Sequence, residues 1–321
     1  MIVMEYLRKL KKPLITGGLL GFAVIVALFV IADYRAVALA YARMDFRLLP
    51  LILLLAPLNY LLRFVKWNYY LKLTGLKPQP RMNLYIFMSG LSMTVTPVKV
   101  GELLKCYLLK EHIGAPVSST SSIVLSERVT DGLGIVILAS CGLLAYPSGK
   151  IVVPFCAAVL IIIILFLYLD RPVKYIAAKY AASGKNRFLL KTFAFLTAFQ
   201  QSAKTLLAPL PLLYAVGISV VSWGFEGLIV YLAILALGGK IAVLESIFIV
   251  SFSSLVGTVT FLPGGLGAAE GSIMAILILM GVSSEMAAAA TIITRFSTLW
   301  LGVMIGIAGL ALTQREFNLT T

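Results

Sequence analysis

The sequence predicts an all-α integral membrane protein: a polytopic helical bundle with two inverted repeats, each containing a broken or re-entrant helix pair. Hydrophobic residues make up 60% of the 321 residues and charged residues 12%, about half of what a soluble protein carries. Apolar stretches of about 18 residues or more, long enough to cross a hydrocarbon core about 30 Å thick, recur along the chain. A pattern of Pro, Gly, Glu and Arg also occurs once in each half.

The spans predicted in the first half are Leu14–Ala32, Leu48–Leu73, 118–146 and Ile151–Leu169. A basic run precedes the first span, as in a signal peptide, but the apolar part is too long for one, so we interpret it as an uncleaved anchor. Residues 82–96 are apolar and end at Thr96-Pro97, and Gly101–Lys110 continues as a short, partly polar helix. This pair is too short and too interrupted for two ordinary spans.

The second half begins with residues 170–208, whose Lys, Arg, Phe and Leu predict an amphipathic elbow along the cytoplasmic membrane surface. The remaining segments are the span Pro209–Leu237, the apolar stretch Leu244–Leu262, the short Leu266–Met280 and the last span Met286–Leu312. Pro263-Gly264-Gly265 interrupts the middle pair. We therefore treat residues 1–321 as a single transmembrane domain.

The two interrupted pairs share a sequence pattern. Thr94-Val95-Thr96-Pro97 leads to Gly101-Glu102, and Arg128 follows 26 residues after the Glu. Thr258-Val259-Thr260 leads to Pro263, Gly267 and Glu270, and Arg295 follows 25 residues after that Glu. We interpret the match as an internal repeat, approximately residues 48–146 and 209–312. The alternative is a chance alignment within a small set of residue types.

The distribution of positive charge predicts the orientation, because cytoplasmic loops are enriched in Lys and Arg. With both termini in the cytoplasm, 18 of the 27 Lys and Arg residues, Lys105 among them, fall in cytoplasmic loops and five in outer loops. The other four are Arg63, Lys66, Arg128 and Arg295, within spans. This topology puts the two broken pairs on opposite sides of the membrane, so the repeats are inverted. Paired broken segments of this kind point to a transport site near the midplane.

Ionisable residues inside spans mark the candidate site, because each costs about 2.5–3.5 kcal/mol to insert and usually faces a cavity or a partner. The predicted substrate-binding residues are Arg63, Glu102, Glu127, Arg128, Asp131, Glu226, Pro263, Gly264, Gly265, Gly267, Glu270 and Arg295, with no catalytic residue and no metal ligand. We expect Glu102 to pair with Arg128 and Glu270 with Arg295. The alternative is that these pairs only let broken helices pack. For Lys66 we favour snorkelling to the interface.

The turn from Pro263 to Gly267 has two interpretations. A helix starting after the glycines would aim free N–H groups and a positive dipole at an anion such as phosphate. The turn is otherwise a tight hairpin tip. The sequence contains no G-x-x-x-x-G-K-[ST] loop and one histidine, which argues against an ATP-driven engine, a His-based metal site and a cofactor. The net charge of +14 is explained by membrane orientation, so we expect no nucleic-acid partner.

These motifs resemble the lysylphosphatidylglycerol synthase transmembrane-region (flippase-like) family. The residues that carry the resemblance are Asn59, Arg63 and Trp67; Pro97 with Gly101-Glu102; Glu127-Arg128-x-x-Asp131; and Pro263-Gly264-Gly265-Leu266-Gly267-x-x-Glu270. The resemblance covers roughly residues 10–312. In fused members this region is taken to move aminoacylated phospholipid between leaflets, and an aminoacyltransferase domain follows it. We expect this chain to lack the aminoacyltransferase domain, so the resemblance implies a stand-alone lipid translocator.

The expected function is a flippase or scramblase of the cell membrane for an anionic or aminoacylated phospholipid or a polyprenyl-phosphate-linked lipid. Arg128 and Arg295 would bind phosphate, and Glu102 and Glu270 would gate or couple to protons. The expected partners are membrane lipids with anionic head groups and a separate lipid-modifying transferase. The sequence leaves the oligomeric state open, with a homodimer as the candidate. The alternatives are a small-solute or ion-coupled transporter and a membrane subunit that assists a transferase.

Overall fold

A computed structural model describes residues 2–96, 101–142, 152–168 and 187–320, and this part of the chain contains helices and no β-strand. The all-α membrane class predicted from composition is therefore confirmed. Pro97, which belongs to the first predicted break, lies outside the described residues. So do the ends of two predicted spans and much of the predicted elbow.

The helices are α1 (Ile2–Ile31), α2 (Tyr34–Ala42), α3 (Leu49–Leu73), α4 (Pro80–Leu91), α5 (Leu104–Ile113), α6 (Val117–Gly142), α7 (Val152–Tyr168), α8 (Arg187–Leu206), α9 (Pro209–Ala236), α10 (Val243–Val259), α11 (Ala268–Leu279), α12 (Ser284–Arg295) and α13 (Leu301–Thr320). Short 3-10 helices occur at Phe46–Leu48, Ser92–Val95 and Pro263–Gly265, and a π-helical segment, Phe296–Trp300, joins α12 to α13.

Within the described ranges, three helices are long and apolar enough to cross a membrane: Phe46–Leu73, Pro209–Ala236 and Ser284–Phe317. A fourth candidate is α1 with α2, which meet at a bend of 92°. The sequence interpretation had only a polar connection after the first span, whereas Tyr34–Ala42 is helical. The helix forms there because its residues are mostly Ala, Tyr and Val, and because the Asp33 carboxylate accepts a hydrogen bond from the Arg35 N–H.

Helix α6 is 26 residues long but differs from these spans in carrying Glu127, Arg128 and Asp131. It lies against α9, α10 and α8, which shield its polar residues from lipid. Helix α8, the described part of the predicted elbow, packs on α6 through Val129, Ala203 and Leu207. The polar span is thus placed inside the bundle rather than at its surface.

The two predicted breaks form where the sequence places them, between α4 and α5 and between α10 and α11. The 3-10 helices of the two breaks lie against each other. A Cβ atom on Gly264 would lie 3.4 Å from Val95 Cα and 3.6 Å from the Thr94 carbonyl oxygen. These are ordinary contact distances, so the positive φ of +60° rather than lack of space favours glycine at this position. The breaks therefore form one contact, while the inverted relation of the repeats stays a prediction.

Helix α13 holds the end of α4 closely. A Cβ on Gly306 would lie 2.0 Å from the Ser92 backbone nitrogen, and a Cβ on Gly309 would lie 2.4 Å from Met88 Cβ. Ser89 Oγ and Thr313 Oγ1 are 3.0 Å apart across the same interface. The last helix thus fixes the position at which the first break begins.

Candidate functional site

A buried group of charged side chains lies where α3, α5 and α6 meet. This group, the central cluster, consists of Arg63, Lys66, Glu102, Lys105, Glu127, Arg128 and Asp131. All of its members except Arg128 are buried, Arg63 being the most exposed of these at 8%. Spacings of three and four residues bring each helix's contributions to one face. The fold therefore brings together five of the predicted site residues: Arg63, Glu102, Glu127, Arg128 and Asp131.

Asp131 is the acceptor on which the cations converge. Its carboxylate binds the ammonium of Lys66, Arg128 Nη2 at 3.1 Å and Arg63 Nη2 at 3.5 Å. Ser219 Oγ on α9 donates a further hydrogen bond at 3.0 Å. A buried carboxylate requires such partners, because an isolated charge pays a desolvation penalty of several kcal/mol. Asp131 therefore ties α3, α6 and α9 together.

Lys66 does not snorkel, so that expectation is wrong. Only 1% of the residue is exposed, and its ammonium binds Asp131, Ser219 Oγ at 2.7 Å and Thr130 Oγ1 at 3.3 Å. Its side chain leaves α3 on the face that turns toward α6 and α9, the same face as Arg63. One carboxylate and two hydroxyl groups replace the water that the ammonium gives up.

The predicted pair of Glu102 and Arg128 is present, with Arg128 Nη2 3.3 Å from Glu102 Oε2. Glu127 binds Lys105 Nζ at 2.6 Å, and Lys105 Nζ lies 4.0 Å from Glu102 Oε2. Lys105 is 3% exposed and lies in α5, so it is not the loop residue that was expected, while the side of the membrane to which it belongs stays a prediction. Glu102 lies in the turn just before α5 and Lys105 in the first turn of α5, so both side chains reach the cluster.

Glu226 lies beside the central cluster on α9. Its Oε1 accepts a hydrogen bond of 2.8 Å from Asn59 Nδ2, and the Asn59 amide oxygen in turn accepts one from Ser222 Oγ. Asn59 is one helical turn before Arg63 on α3. The predicted residue Glu226 thus belongs to the same polar region but is joined to it through an amide.

A second group, the turn cluster, consists of Gly264, Gly267, Glu270 and Arg295. Arg295 Nε binds Glu270 Oε1 at 2.5 Å, which is the predicted pair, and Arg295 Nη2 donates to the Gly264 carbonyl at 2.9 Å. Glu270 Oε2 accepts from the Gly267 N–H at 2.7 Å. Glu270 is buried, whereas the Arg295 side chain is 17% exposed. The pair therefore fastens α11 and α12 to the glycine turn.

The backbone of the turn from Pro263 to Gly267 is occupied by its own contacts. The Gly265 N–H donates to the Leu262 carbonyl at 2.9 Å, and the Leu266 N–H donates to the Pro263 carbonyl at 3.0 Å. The Gly267 N–H is taken by Glu270. Gly264, Gly265 and Gly267 all have positive φ, which explains the glycines by shape. The contacts fit a hairpin tip, the second of the two sequence interpretations, and anion binding at the start of α11 stays a prediction.

Small cavities adjoin both clusters in the part of the chain that the structure describes. A cavity of about 10 Å³ adjoins the central cluster, with Arg63, Gly90, Glu102, Lys105 and Arg128 among its lining residues. A cavity of about 40 Å³ lies between α1 and the pair Glu270–Arg295. Since a single water needs about 10–15 Å³, neither cavity holds a phosphate head group.

Comparison with known proteins gives a family and several relatives. The family described as "Lysylphosphatidylglycerol synthase TM region" matches residues 18–306. A UPF0104 membrane protein of Methanothermobacter thermautotrophicus is 27% identical over 229 residues, 65% of this chain and 68% of the relative. A UPF0104 membrane protein of Methanocaldococcus jannaschii is 29% identical, over 70% of this chain and 94% of the relative. One from Pyrococcus horikoshii is 22% identical over 82% and 86%.

Proposed function

The chain belongs to the lysylphosphatidylglycerol synthase TM region family, and from that membership and its buried charges we propose that it is a membrane lipid translocator. As a flippase or scramblase, it moves a lipid with a phosphate-bearing head group between the leaflets. The lipid is an anionic or aminoacylated phospholipid or a polyprenyl-phosphate-linked lipid. The observation that carries the proposal is the central cluster, in which six of seven ionisable side chains are buried together in a membrane protein and the seventh, Arg128, is partly buried.

The cluster is better suited to exchange of partners than to fixed packing. A helix pair needs one ion pair to satisfy a buried charge, yet Asp131 contacts three cations and Lys105 lies near two carboxylates. A phosphate that enters beside Arg128 replaces Glu102 or Asp131 as its acceptor, while another cation keeps the released carboxylate paired. The head group therefore crosses without leaving an unpaired charge, which is the costly event in a membrane.

Movement of the two breaks supplies the path in this proposal. The 3-10 helices of the two breaks contact each other at Val95 and Gly264, and Gly264 belongs to the turn cluster. When the breaks separate toward one side of the membrane, the small cavities beside the two clusters widen to admit the head group, while the acyl chains stay in lipid. Both termini are cytoplasmic in this proposal, and a separate lipid-modifying transferase supplies the lipid.

Leaflet exchange in reconstituted liposomes tests the proposal. We expect wild type to move fluorescent phospholipids faster than protein-free liposomes, and Arg295→Ala and Glu270→Gln to slow exchange at least tenfold. Arg81→Ala is the matched control, because Arg81 pairs with Glu316 at the surface and its side chain is 74% exposed. If wild type moves none of several head groups faster than empty liposomes, the proposal is wrong. If both turn-cluster variants match wild type, that cluster has no part in transport.

A further inference from the structure

Lys105 occupies a box of aromatic and acidic side chains. Its ammonium nitrogen lies 4.3 Å from the centroid of the Trp67 ring and 5.6 Å from that of Phe87. Glu127 closes the box at 2.6 Å and Glu102 lies at 4.0 Å. Aromatic faces combined with carboxylates are the arrangement by which proteins bind organic ammonium groups. The box therefore has the chemistry of a ligand site, filled by the chain's own side chain.

The box is built from parts that are held independently of Lys105. The Trp67 indole N–H donates to Asn83 Oδ1 at 2.9 Å, which fixes the ring, and the residue has no exposed surface. Gly90 makes room for the lysine stem, because a Cβ there would lie 2.8 Å from Lys105 Cδ. Trp67, Gly90 and Glu127 come from three different helices, whereas Lys105 comes from α5, which follows the first break.

A guanidinium lies next to the box. Arg128 shares Glu102 with Lys105 and lines the same cavity of about 10 Å³. Among the described residues, the buried Nε of Arg128 has no hydrogen-bond partner. A donor for phosphate and a box for ammonium therefore adjoin one another, with one carboxylate between them. A head group that carries both a phosphate and an ammonium matches this pair of features.

We propose that Trp67, Phe87 and Glu127 form a subsite for the organic ammonium of a lipid head group, and that Lys105 is its tethered occupant until such a lipid displaces it. This inference rests on the proposed function and narrows its substrate to ammonium-bearing lipids. Displacement turns the Lys105 side chain out of the box, and Glu127 exchanges one ammonium for another. The charge of the central cluster is then unchanged apart from the incoming phosphate, which Arg128 binds.

The reactivity of Lys105 in the full-length wild-type protein tests the subsite. Glycerophosphocholine is the probe, since its quaternary ammonium does not react in reductive methylation, and glycerol 3-phosphate is the control without an ammonium. We expect saturating glycerophosphocholine to raise methylation of Lys105 at least threefold, measured by mass spectrometry, while the exposed Lys110 is unchanged. The control compound leaves both lysines unchanged. Equal methylation of Lys105 with and without glycerophosphocholine overturns the proposal.

Substitution of Lys105 gives a second test, because the subsite predicts tighter binding of the probe and a purely structural role does not. Lys105→Ala removes the competing occupant, so we expect it to bind glycerophosphocholine about tenfold more tightly. A lysine that only supports packing gives equal or weaker binding on removal, which contradicts the proposal. Trp67→Leu loses the cation–π contact, so we expect about fivefold weaker binding of glycerophosphocholine and unchanged binding of glycerol 3-phosphate.

Liposomes separate the failure of this inference from the failure of the proposed function. We compare exchange of phosphatidylethanolamine, an aminoacylated phosphatidylglycerol and unmodified phosphatidylglycerol, so that the two sources of ammonium are distinguished from a lipid without one. Faster exchange of either ammonium lipid supports the subsite. Equal exchange of all three overturns it and leaves translocation in place. If no lipid moves but Lys105 becomes reactive with glycerophosphocholine, the subsite stands and translocation fails.

Discussion

At the scale of single residues, Asp131 is the buried carboxylate that contacts three cations. Asp131→Asn removes the charge that balances Lys66, Arg63 and Arg128. Because loss of one partner leaves buried cations uncompensated, we expect the free energy of unfolding to fall by about 3–5 kcal/mol. Denaturant unfolding of the purified protein measures it.

A second substitution checks that the loss comes from charge and not from shape. Lys66→Met in the Asp131→Asn background removes one orphaned cation, so we expect the double variant to recover part of the stability. The matched control is Asp45→Asn, since the exposed Asp45 carboxylate accepts the Arg47 N–H at a short 3-10 helix. Asp131→Asn with the stability of Asp45→Asn contradicts the assignment.

The ion pairs Glu102–Arg128 and Glu270–Arg295 were predictable because their separations along the chain, 26 and 25 residues, are nearly equal. Lys66 and Lys105 were misplaced, since their positions near span ends suggested water. A signal for Lys66 existed: Asn59, Arg63, Lys66 and Tyr70 recur at helical spacing and mark one polar face of α3. No comparable signal existed for Lys105, because Trp67 and Glu127 reach it from helices distant in sequence.

At the scale of elements, the interface between α4 and α13 fixes where the first break begins. Gly306→Ala places a methyl group against the Ser92 backbone nitrogen, which cannot rotate away. We expect a loss of about 1–3 kcal/mol, the usual cost of overpacking a well-packed contact. Thermal unfolding in detergent, with and without lipid, measures the shift.

Gly217→Ala is the control for this prediction, because no atom lies within 4 Å of a Cβ built there and α9 continues through it. We expect it to keep wild-type stability. If the two variants unfold at the same temperature, α13 does not clamp α4. Most span positions were predictable from the sequence, although α2 was missed and α1 begins at Ile2 rather than Leu14. The contact between α4 and α13 depends on which helices become neighbours, and the sequence pattern does not specify that.

At the scale of the whole molecule, the orientation rests on loop charge and has a direct test. In a protein whose native cysteines are replaced, we expect Lys240→Cys to react with a membrane-impermeant maleimide in intact cells. Lys77→Cys, exposed before α4, should react only after permeabilisation, because the broken pairs open to opposite sides. Labelling of both positions in intact cells contradicts the inverted arrangement of the repeats.

Helix α1 closes the turn cluster on one side and lies on the first break. Gly21 packs on Trp300, where a Cβ would lie 2.1 Å from the ring, and Gly21 and Val24 line the cavity beside Glu270 and Arg295. An ideal Cβ on Gly17 lies 3.1 Å from Val95 Cβ. That separation is close to the 3.5–4.5 Å of a disulfide, so a small shift lets two cysteines bridge α1 and the break.

We expect Gly17→Cys combined with Val95→Cys, in the same cysteine-free background, to form a disulfide on oxidation and to slow lipid exchange at least tenfold. The physical reason is that a covalent link keeps α1 over the turn cluster, so that the Glu270–Arg295 pair cannot open toward lipid. A reducing agent should restore the rate. Gly18→Cys with Val95→Cys is the matched control, because a Cβ on Gly18 meets no atom within 4 Å and should not cross-link. If the oxidised, cross-linked protein exchanges lipid as fast as the same protein after reduction, α1 stays in place during transport.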